Sequence, residues 1–289
     1  MIDNFVQIHT AFPHFWTIVF FVFGAIVGSF LNVCILRIPR GESIISPSSH
    51  CVCGKPIPWW HNIPILSWFI LRGRAACCGR RFSIRYAMIE LLTAILFAFS
   101  WEFLPLSLAA GTMIYLTFAI VLAMQDFDSM TLPDSVLAFF MVAAMFTGTL
   151  LTQDLIAMAI GLATGTTILT FIRFFSSVFL KREAMGEGDI YLLAGIGAFF
   201  GWRAVIFSLF VGSIFGLIFA LAGTILGKWC SREKVVSEDD DGVPASAEIP
   251  FGPPLLLAGT LFVFVNYFCG NVFELLGCGS FLFFTCPEN

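Results

Sequence analysis

The stretch MGEGDIYLLAGIGAFF, residues 185–200, places Asp189 at the start of an apolar run. Upstream, the apolar run that begins near Leu106 ends in QDFD, residues 125–128, so Asp126 closes a second apolar segment. Carboxylates near a membrane are costly, and they usually face a bundle interior or water. Two of them can divide the roles of general acid and general base on one water molecule. The sequence therefore predicts a helical bundle in which Asp126 and Asp189 pair; the alternative is that each is a helix cap or a solvated interface residue.

Two glycines, Gly186 and Gly188, precede Asp189. Because glycine permits close backbone approach, we expect an extended substrate strand to lie against this turn. The other acids near span ends have simpler interpretations. We expect Asp134 and Asp154 to cap helices and Glu183 and Glu187 to be loop acids.

The composition predicts a membrane protein. Of the 289 residues, 58% are hydrophobic and only 12% are charged, whereas soluble domains average about 25% charged residues. The N-terminus lacks a basic segment and a small-residue cleavage site, so we expect the first apolar run to be a retained span. Basic residues are not interleaved with exposed aromatic residues, which argues against nucleic-acid binding.

Hydropathy predicts an all-α polytopic fold with about eight transmembrane helices. The predicted spans are 15–36, 87–104, 106–125, 134–152, 155–175, 189–200, 204–227 and 251–268. The run 189–200 is short, so either flanking residues complete it or it is partly re-entrant. This pattern predicts four regions: a first span (1–36), a small cytoplasmic domain with cysteines (37–86), a membrane domain (87–268) and a tail of unknown role (269–289). The acidic stretch 233–248 is expected to be a solvated linker.

The positions of the basic residues predict the orientation. With eight spans and an outside N-terminus, 14 of the 15 lysines and arginines fall in the four inner loops, and only Arg203 does not. The positive-inside rule favours this topology. It places Asp126 and Asp189 together at the cytoplasmic face. The block 37–86 is rich in proline and glycine, and we expect turns and short strands in it.

Several motifs, in order, resemble the type IV prepilin peptidases, the aspartic leader peptidases of bacterial pilus and type II secretion systems. The N-terminal half carries GSFLNV (28–33), RIPRGES (37–43), WWHNIPILSW (59–68), RGR (72–74), SIRY (83–86) and ELL (90–92). The C-terminal half carries DFD (126–128), LPD (132–134), GEGD (186–189), GW (201–202) and IPFGP (249–253). The resemblance covers about residues 24–268.

The resemblance implies a multi-pass protein of the bacterial inner membrane with two activities. It implies cleavage of a prepilin or pseudopilin leader after a glycine, with Asp126 and Asp189 as the catalytic aspartates at the cytoplasmic face. It also implies methylation of the new N-terminal residue with S-adenosylmethionine as the methyl donor. It associates the domain 37–86 with methyl transfer and makes 87–268 the aspartic peptidase domain. The alternatives are a peptidase that no longer methylates and a non-catalytic membrane scaffold or transporter. The family pattern does not need Asp128 as a catalyst, and we expect that side chain to be solvated.

The cysteines depart from the family, which usually has two C-x-x-C pairs, a zinc signature. Cys53 and Cys78 occupy the second position of each pair, whereas the first positions are His50 and Ala75. One possible zinc site is His50, Cys53 and Cys78 with either Cys51 or Cys77. The other is all-thiolate, Cys51, Cys53, Cys77 and Cys78, although adjacent cysteines rarely bind one metal comfortably. A third possibility is that some of these thiols are free and reduced, as is usual in the cytosol.

Overall fold

The computed structural model describes residues 14–51, 53–152, 155–180, 186–225 and 250–275. The expectations for Asp154, Glu183, the stretch 233–248 and tail residues 276–289 lie outside these ranges. The described helices are α1 (Phe15–Arg37), α2 (Leu66–Ile70), α3 (Arg85–Phe103), α4 (Leu106–Ser129), α5 (Asp134–Thr152), α6 (Leu155–Leu180), α7 (Glu187–Phe200), α8 (Trp202–Ile225) and α9 (Gly252–Leu275).

The all-helical prediction is confirmed, but the number of spans differs. Within the described ranges, seven helices are long and apolar enough to cross a membrane: α1, α3, α4, α5, α6, α8 and α9. The eighth predicted span is α7, whose 14 residues extend only about 21 Å at 1.5 Å per residue. Flanking residues do not complete it, because it begins at Glu187 and stops before Gly201, which has a φ of 83°.

Helix α7 lies inside the bundle, where glycines on α5 and α6 contact its backbone. A Cβ added to Gly148 of α5 would lie 1.9 Å from the carbonyl oxygen of Ala198. A Cβ on Gly197 of α7 would lie 2.2 Å from the carbonyl oxygen of Gly161 on α6. Such contacts leave no room for a side chain, so small residues at these positions let the helices approach closely.

Glycines also allow helices α1 and α3 to pack closely against each other. Gly24 and Gly28 of α1 face α3, and a Cβ on Gly28 would lie 2.8 Å from the Cα of Glu90. At one end of this pair, the Thr17 hydroxyl donates a hydrogen bond to the Glu102 carboxylate. At the opposite end, the Asn32 amide donates to the carbonyl oxygen of Tyr86 at 3.1 Å. The two helices are therefore antiparallel.

Several helix termini meet at the end of the bundle that holds Asp126, which we call the aspartate end. The side-chain amide of Gln125, near the end of α4, donates to the carbonyl oxygen of Cys34 at 3.3 Å. The Asp126 carboxylate accepts a hydrogen bond from Gly252, the first residue of α9. The last turns of α1 and α4 and the start of α9 therefore lie together. The polar block 38–84, which follows α1, extends from this same end.

The polar block contains turns, two 3₁₀ turns (Ile38–Arg40 and Trp59–His61) and the short helix α2. The expectation of short strands there is wrong for the described residues. Two isolated bridges pair His50 with Pro56 and Arg74 with Arg81. Prolines and left-handed glycines break the chain too often for a ladder to extend.

We expect Gly197→Ala to destabilise the protein by about 1–3 kcal/mol, because the new methyl group would overlap the Gly161 carbonyl. Gly216→Ala is the matched control, since a Cβ there would meet its nearest atom at 3.7 Å, an ordinary contact. Thermal unfolding of the detergent-solubilised protein, followed by circular dichroism, compares the two. Equal unfolding temperatures for Gly197→Ala and the unsubstituted protein would contradict the packing of α7.

Candidate active site

Asp126 lies inside the last turns of α4, although the sequence had predicted it directly after that span. Its side chain is buried, with 7% of the residue exposed. The preceding residue, Gln125, is fully buried and fixed to α1 through Cys34. Helix α4 continues to Ser129 and ends where Met130 adopts a left-handed conformation. The carboxylate therefore projects from a rigid helix rather than from a loop.

Asp189 lies in the first turn of α7 and is 8% exposed. It forms no hydrogen bond within the described residues. The residue one turn further along α7, Leu192, lies within 3.2 Å of the Cβ position of Gly252. That same Cβ position is 2.6 Å from Asp126 Oδ2. The structure thus brings the two predicted aspartates into one buried region.

Gly252 is a site residue that sequence reasoning missed. Its backbone N–H donates to Asp126 Oδ2 at 3.0 Å. The first N–H groups of a helix have no partner within that helix, so they are available to an anion. The signal in the sequence was the run Gly-Pro-Pro at 252–254, because proline is typical of the first turn of a helix. A larger residue at 252 would displace the carboxylate.

The two glycines before Asp189 have different surroundings. A Cβ on Gly188 would lie 2.6 Å from Leu132 Cδ1, so this position is closed by the loop that follows α4. A Cβ on Gly186 would meet no atom of the described part of the chain within 4 Å. Gly186 has ordinary extended dihedrals, with φ −67° and ψ 150°. Only Gly186 therefore leaves open space beside the turn.

The other described acids near the aspartate end form ion pairs or lie at a helix terminus. Asp128 is exposed, as expected of a solvated side chain, and it also forms a two-pronged ion pair with Arg85, at 2.7 Å and 2.5 Å. This pair joins the start of α3 to the end of α4. Glu187 is exposed and pairs with Arg173 of α6 at 2.9 Å. Asp134 is the first residue of α5, where the helix dipole stabilises a negative charge.

The geometry suits a pair of carboxylates that share one proton. Like charges in a dry site cannot both be ionised cheaply, so one acid holds a proton. A hydrogen bond to a charged group contributes about 1.5–3 kcal/mol. A helix terminus contributes about 0.3–1 kcal/mol to a charge in the first turn. The Gly252 N–H therefore favours the negative charge on Asp126, and the proton on Asp189.

Four cysteines of the polar block converge to form a second cluster. The sulfur atoms of Cys51, Cys53, Cys77 and Cys78 all lie within 4.8 Å of one another. Each pair of cysteines is followed by a glycine in a tight turn. The Gly54 N–H donates to the Cys51 carbonyl, and the Gly79 N–H donates to the Ala75 carbonyl, both at 2.7 Å. Both glycines have positive φ, which lets these turns present adjacent or near-adjacent thiols to one point.

Of the two ligand sets that the sequence allowed, the all-thiolate set is the one whose atoms lie close together in the structure. His50 is not part of the converging group, and its Nδ1 lies 3.1 Å from the Ser48 carbonyl oxygen. The backbone N–H of Cys53, followed by the thiols of Cys77 and Cys78, lowers the pKa of Cys51 to about 6. Hydrogen bonding to Cys51 in turn raises the pKa of Cys77 to about 12.

Comparison with known protein families gives two adjacent matches. Residues 22–103 match the family described as the bacterial peptidase A24 N-terminal domain. Residues 113–221 match the type IV leader peptidase family. The first range holds α1, the polar block and α3, and the second holds Asp126 and Asp189.

Curated relatives named prepilin leader peptidase/N-methyltransferase match most of the chain. The protein from Myxococcus xanthus is 36% identical over 231 residues, which cover 74% of this chain and 67% of that protein. The protein from Klebsiella pneumoniae is 33% identical over 217 residues, or 71% of this chain and 95% of its own length. The protein from Pectobacterium carotovorum is 30% identical over 292 residues, which cover 92% of this chain and 99% of that protein. No solved structure gives a significant match.

We expect Gly252→Ala to move the Asp126 carboxylate, because the added methyl group would lie 2.6 Å from Oδ2. Gly216→Ala is the control on α8, where a Cβ would have its nearest contact at 3.7 Å, an ordinary distance, and none with an aspartate. The two purified variants are compared by kcat/KM for cleavage of a peptide or precursor substrate. The site geometry predicts a loss of about 100-fold or more for Gly252→Ala, as for other displacements of about 1 Å in active sites. Activity equal to that of Gly216→Ala would contradict it.

Proposed function

We propose that this chain, which belongs to the type IV leader peptidase family, cleaves the leader of a prepilin or pseudopilin with Asp126 and Asp189 and methylates the new N-terminus. The names of its relatives combine both activities. The observation that carries the aspartic mechanism is the burial of two carboxylates from different helices at one end of an apolar bundle. The relatives are named as enzymes, which the scaffold and transporter alternatives do not account for.

In the proposed peptidase step, Asp126 is the general base and Asp189 is the general acid. Asp126 takes a proton from a water molecule, and the water oxygen attacks the carbonyl carbon that follows the leader. The proton on Asp189 passes to the carbonyl oxygen, which leaves a neutral tetrahedral intermediate. The carbon–nitrogen bond then breaks as the leaving amine takes the proton that Asp126 holds, and one hydroxyl of the intermediate returns its proton to Asp189. The products are a leader carboxylate and a free N-terminal amine.

We propose that this site opens to the cytoplasmic face of the inner membrane. The aspartate end also carries the basic residues of the polar block, among them Arg37, Arg72 and Arg81. Arg203, at the start of α8, is the one basic residue that the positive-inside count assigns to the other side. A basic leader would then stay in the cytoplasm while the apolar helix of the substrate remains in the bilayer.

The open space beside Gly186 supports an assignment for the substrate backbone. An extended strand that approaches this turn would lie beside Asp189 without displacing Leu132, which closes the Gly188 side. Under this proposal Gly186 is a substrate-facing residue, and Gly188 maintains the internal packing of the turn. A side chain at Gly186 would therefore raise KM while thermal stability is retained.

The methyl donor is proposed to be S-adenosylmethionine. It supplies the methyl group that the free amine accepts after cleavage. The chain then acts in two steps, and the first product is the substrate of the second.

The cysteine cluster is proposed to hold one zinc ion. Four thiolates at a Zn–S distance of about 2.3 Å in a tetrahedron would lie about 3.8 Å apart. The Cys51–Cys78 and Cys53–Cys77 sulfur pairs are 3.5 Å and 3.3 Å apart, so the cluster needs little adjustment. Zinc, when bound, would stabilise the fold by linking the two turns. Cys51, Cys53, Cys77 and Cys78 are its proposed ligands.

The peptidase proposal predicts that Asp126→Asn and Asp189→Asn each abolish cleavage, because the pair needs one proton donor and one proton acceptor. The measurement is cleavage of a prepilin by membranes that contain each variant, with mass spectrometry of the product N-terminus. The product of the unsubstituted protein should begin after the leader glycine and carry one added methyl group. A cleaved product without the mass of the added methyl group would favour the peptidase-only alternative.

Glu187→Gln is the matched control, because this exposed acid lies two residues before Asp189 and its surface ion pair contributes little. We expect it to cleave at nearly the normal rate. If either aspartate variant cleaves as well as Glu187→Gln, the two-aspartate mechanism is wrong.

The zinc proposal predicts one zinc ion per chain, lost in Cys53→Ser and retained in His50→Ala. Metal analysis of the purified variants measures the stoichiometry, and thermal unfolding with and without a chelator measures its structural effect. We expect the chelator to lower the unfolding temperature of the unsubstituted protein and of His50→Ala. Zinc loss in His50→Ala would instead support the ligand set that includes the histidine.

A further inference from the structure

The short helix α2 of the polar block exposes an apolar face. Leu66, Phe69 and Ile70 follow the i, i+3, i+4 spacing of one side of a helix, and we call them the α2 face. Each of the three residues is more than half exposed. A cluster of large apolar side chains at the surface marks a place that a protein partner or a membrane covers.

The other side of α2 is packed against the polar block, which fixes the direction of the α2 face. Trp68 lies against Gly73, where an added Cβ would be 3.3 Å from the indole ring. The Gly73 N–H also donates a hydrogen bond to the Trp68 carbonyl oxygen at 3.0 Å. Because Trp68 holds the inner side of this single helical turn, the α2 face is left pointing outward.

A hydrogen bond to α3 sets the depth of α2 relative to the membrane spans. The N–H of Ile65, directly before α2, donates to the Glu90 carboxylate at 2.7 Å. Glu90 lies five residues after Arg85, the first residue of α3, or about 7.5 Å along the helix. The exposed ion pair of Arg85 with Asp128 marks the aqueous edge of this span. Since a headgroup layer is about 5–7 Å thick, α2 begins near the boundary between headgroups and acyl chains.

The α2 face continues the apolar surface that α3 presents to lipid. Helix α3 is long and apolar enough to cross a membrane, and its Met88 and Leu92 are exposed on it. These two residues lie on either side of Glu90 in the chain, so they share the level at which α2 is held. A side chain as exposed as theirs at the same depth contacts the same environment. Lipid is therefore the partner that fits the α2 face.

The charges of this part of the chain agree with a position in the membrane interface. Residues 56–71 contain no lysine, arginine, aspartate or glutamate. The segment includes Trp59 and Trp60, both exposed, and tryptophan is enriched where headgroups meet acyl chains. Arg72 and Arg74 follow the segment and are also exposed. Arginine side chains can extend from an apolar surface to the phosphate layer.

We propose that α2 lies in the bilayer interface at the aspartate end, with the α2 face on lipid acyl chains and the Trp59–Trp60 pair among the headgroups. The polar block is then attached to the membrane at three places: through α1, through α3 and through α2 between them. This attachment does not depend on either proposed activity, because any phospholipid supplies the acyl chains.

The test is photolabelling of the purified full chain in phosphatidylcholine liposomes that contain a diazirine-bearing phosphatidylcholine. One probe carries the diazirine near the carbonyl end of the acyl chain, and a second carries it at the methyl end. Peptide mapping by mass spectrometry should show that the first probe labels residues 66–70 as strongly as residues 88–92. The second probe should label 66–70 several-fold less than the first. Labelling no higher than that of the exposed turn 53–55 would overturn the proposal and leave the α2 face to a protein partner.

A pair of variants gives an independent check. Ile70→Asp places a negative charge on the α2 face, whereas Asn62→Asp adds the same charge at an exposed position outside that face. Because a charge among acyl chains is costly, Ile70→Asp should lower the unfolding temperature in the same liposomes by several degrees. Asn62→Asp should unfold close to the unsubstituted protein, as followed by intrinsic tryptophan fluorescence. An Ile70→Asp protein as stable as Asn62→Asp would contradict contact between the α2 face and lipid.

Discussion

The hydrogen bond from the Gly252 N–H to the Asp126 carboxylate is the constraint around which the aspartate end is arranged. It requires the first residue of α9 to lie against the last turns of α4, and it requires residue 252 to lack a side chain. It also favours negative charge on one of two buried acids. Under the proposed mechanism, the second acid, Asp189, is then the one that holds a proton. Without this asymmetry, two carboxylates at 7% and 8% exposure would have equivalent roles.

The position of Asp189 depends in turn on how α7 is held. This helix is too short to span a bilayer, so it cannot take its depth from the membrane. Glycine contacts with α5 and α6 fix it instead, at Gly148 and Gly161. Its first turn is fixed by the contact between Gly188 and Leu132, which belongs to the loop after α4. The same small residues that permit close packing therefore set the position of the proposed general acid.

Much of the helical pattern could be predicted from the sequence, because hydropathy and span length are local properties. The predicted span 134–152 matches α5, whereas the predicted span 155–175 ends five residues before the end of α6. Helix α6 continues to Leu180, and Arg173 within it pairs with Glu187. For the run 189–200 the sequence left open a completed span or a partly re-entrant piece, because an apolar run alone does not distinguish a short buried helix from a spanning one.

The two aspartates could be named from their motifs, but the residues that act on them could not. The Gly252 contact and the Arg85–Asp128 pair join residues far apart in the chain, and nothing in either local pattern specifies the partner. The cysteines show the same limit. Adjacent Cys77 and Cys78 argued against a shared site, and only the turn closed at Gly79 brings both thiols to the cluster.

The most direct test of the aspartate pair is the binding of a transition-state isostere. The probe is a prepilin peptide in which a hydroxyl-bearing carbon replaces the scissile carbonyl. The proposed mechanism predicts that it binds at least about 100-fold more tightly than the matching peptide with a methylene group there, as expected for a transition-state analogue. That advantage should disappear in Asp126→Asn and in Asp189→Asn. An advantage that survives in either variant would contradict a catalytic pair formed by these two residues.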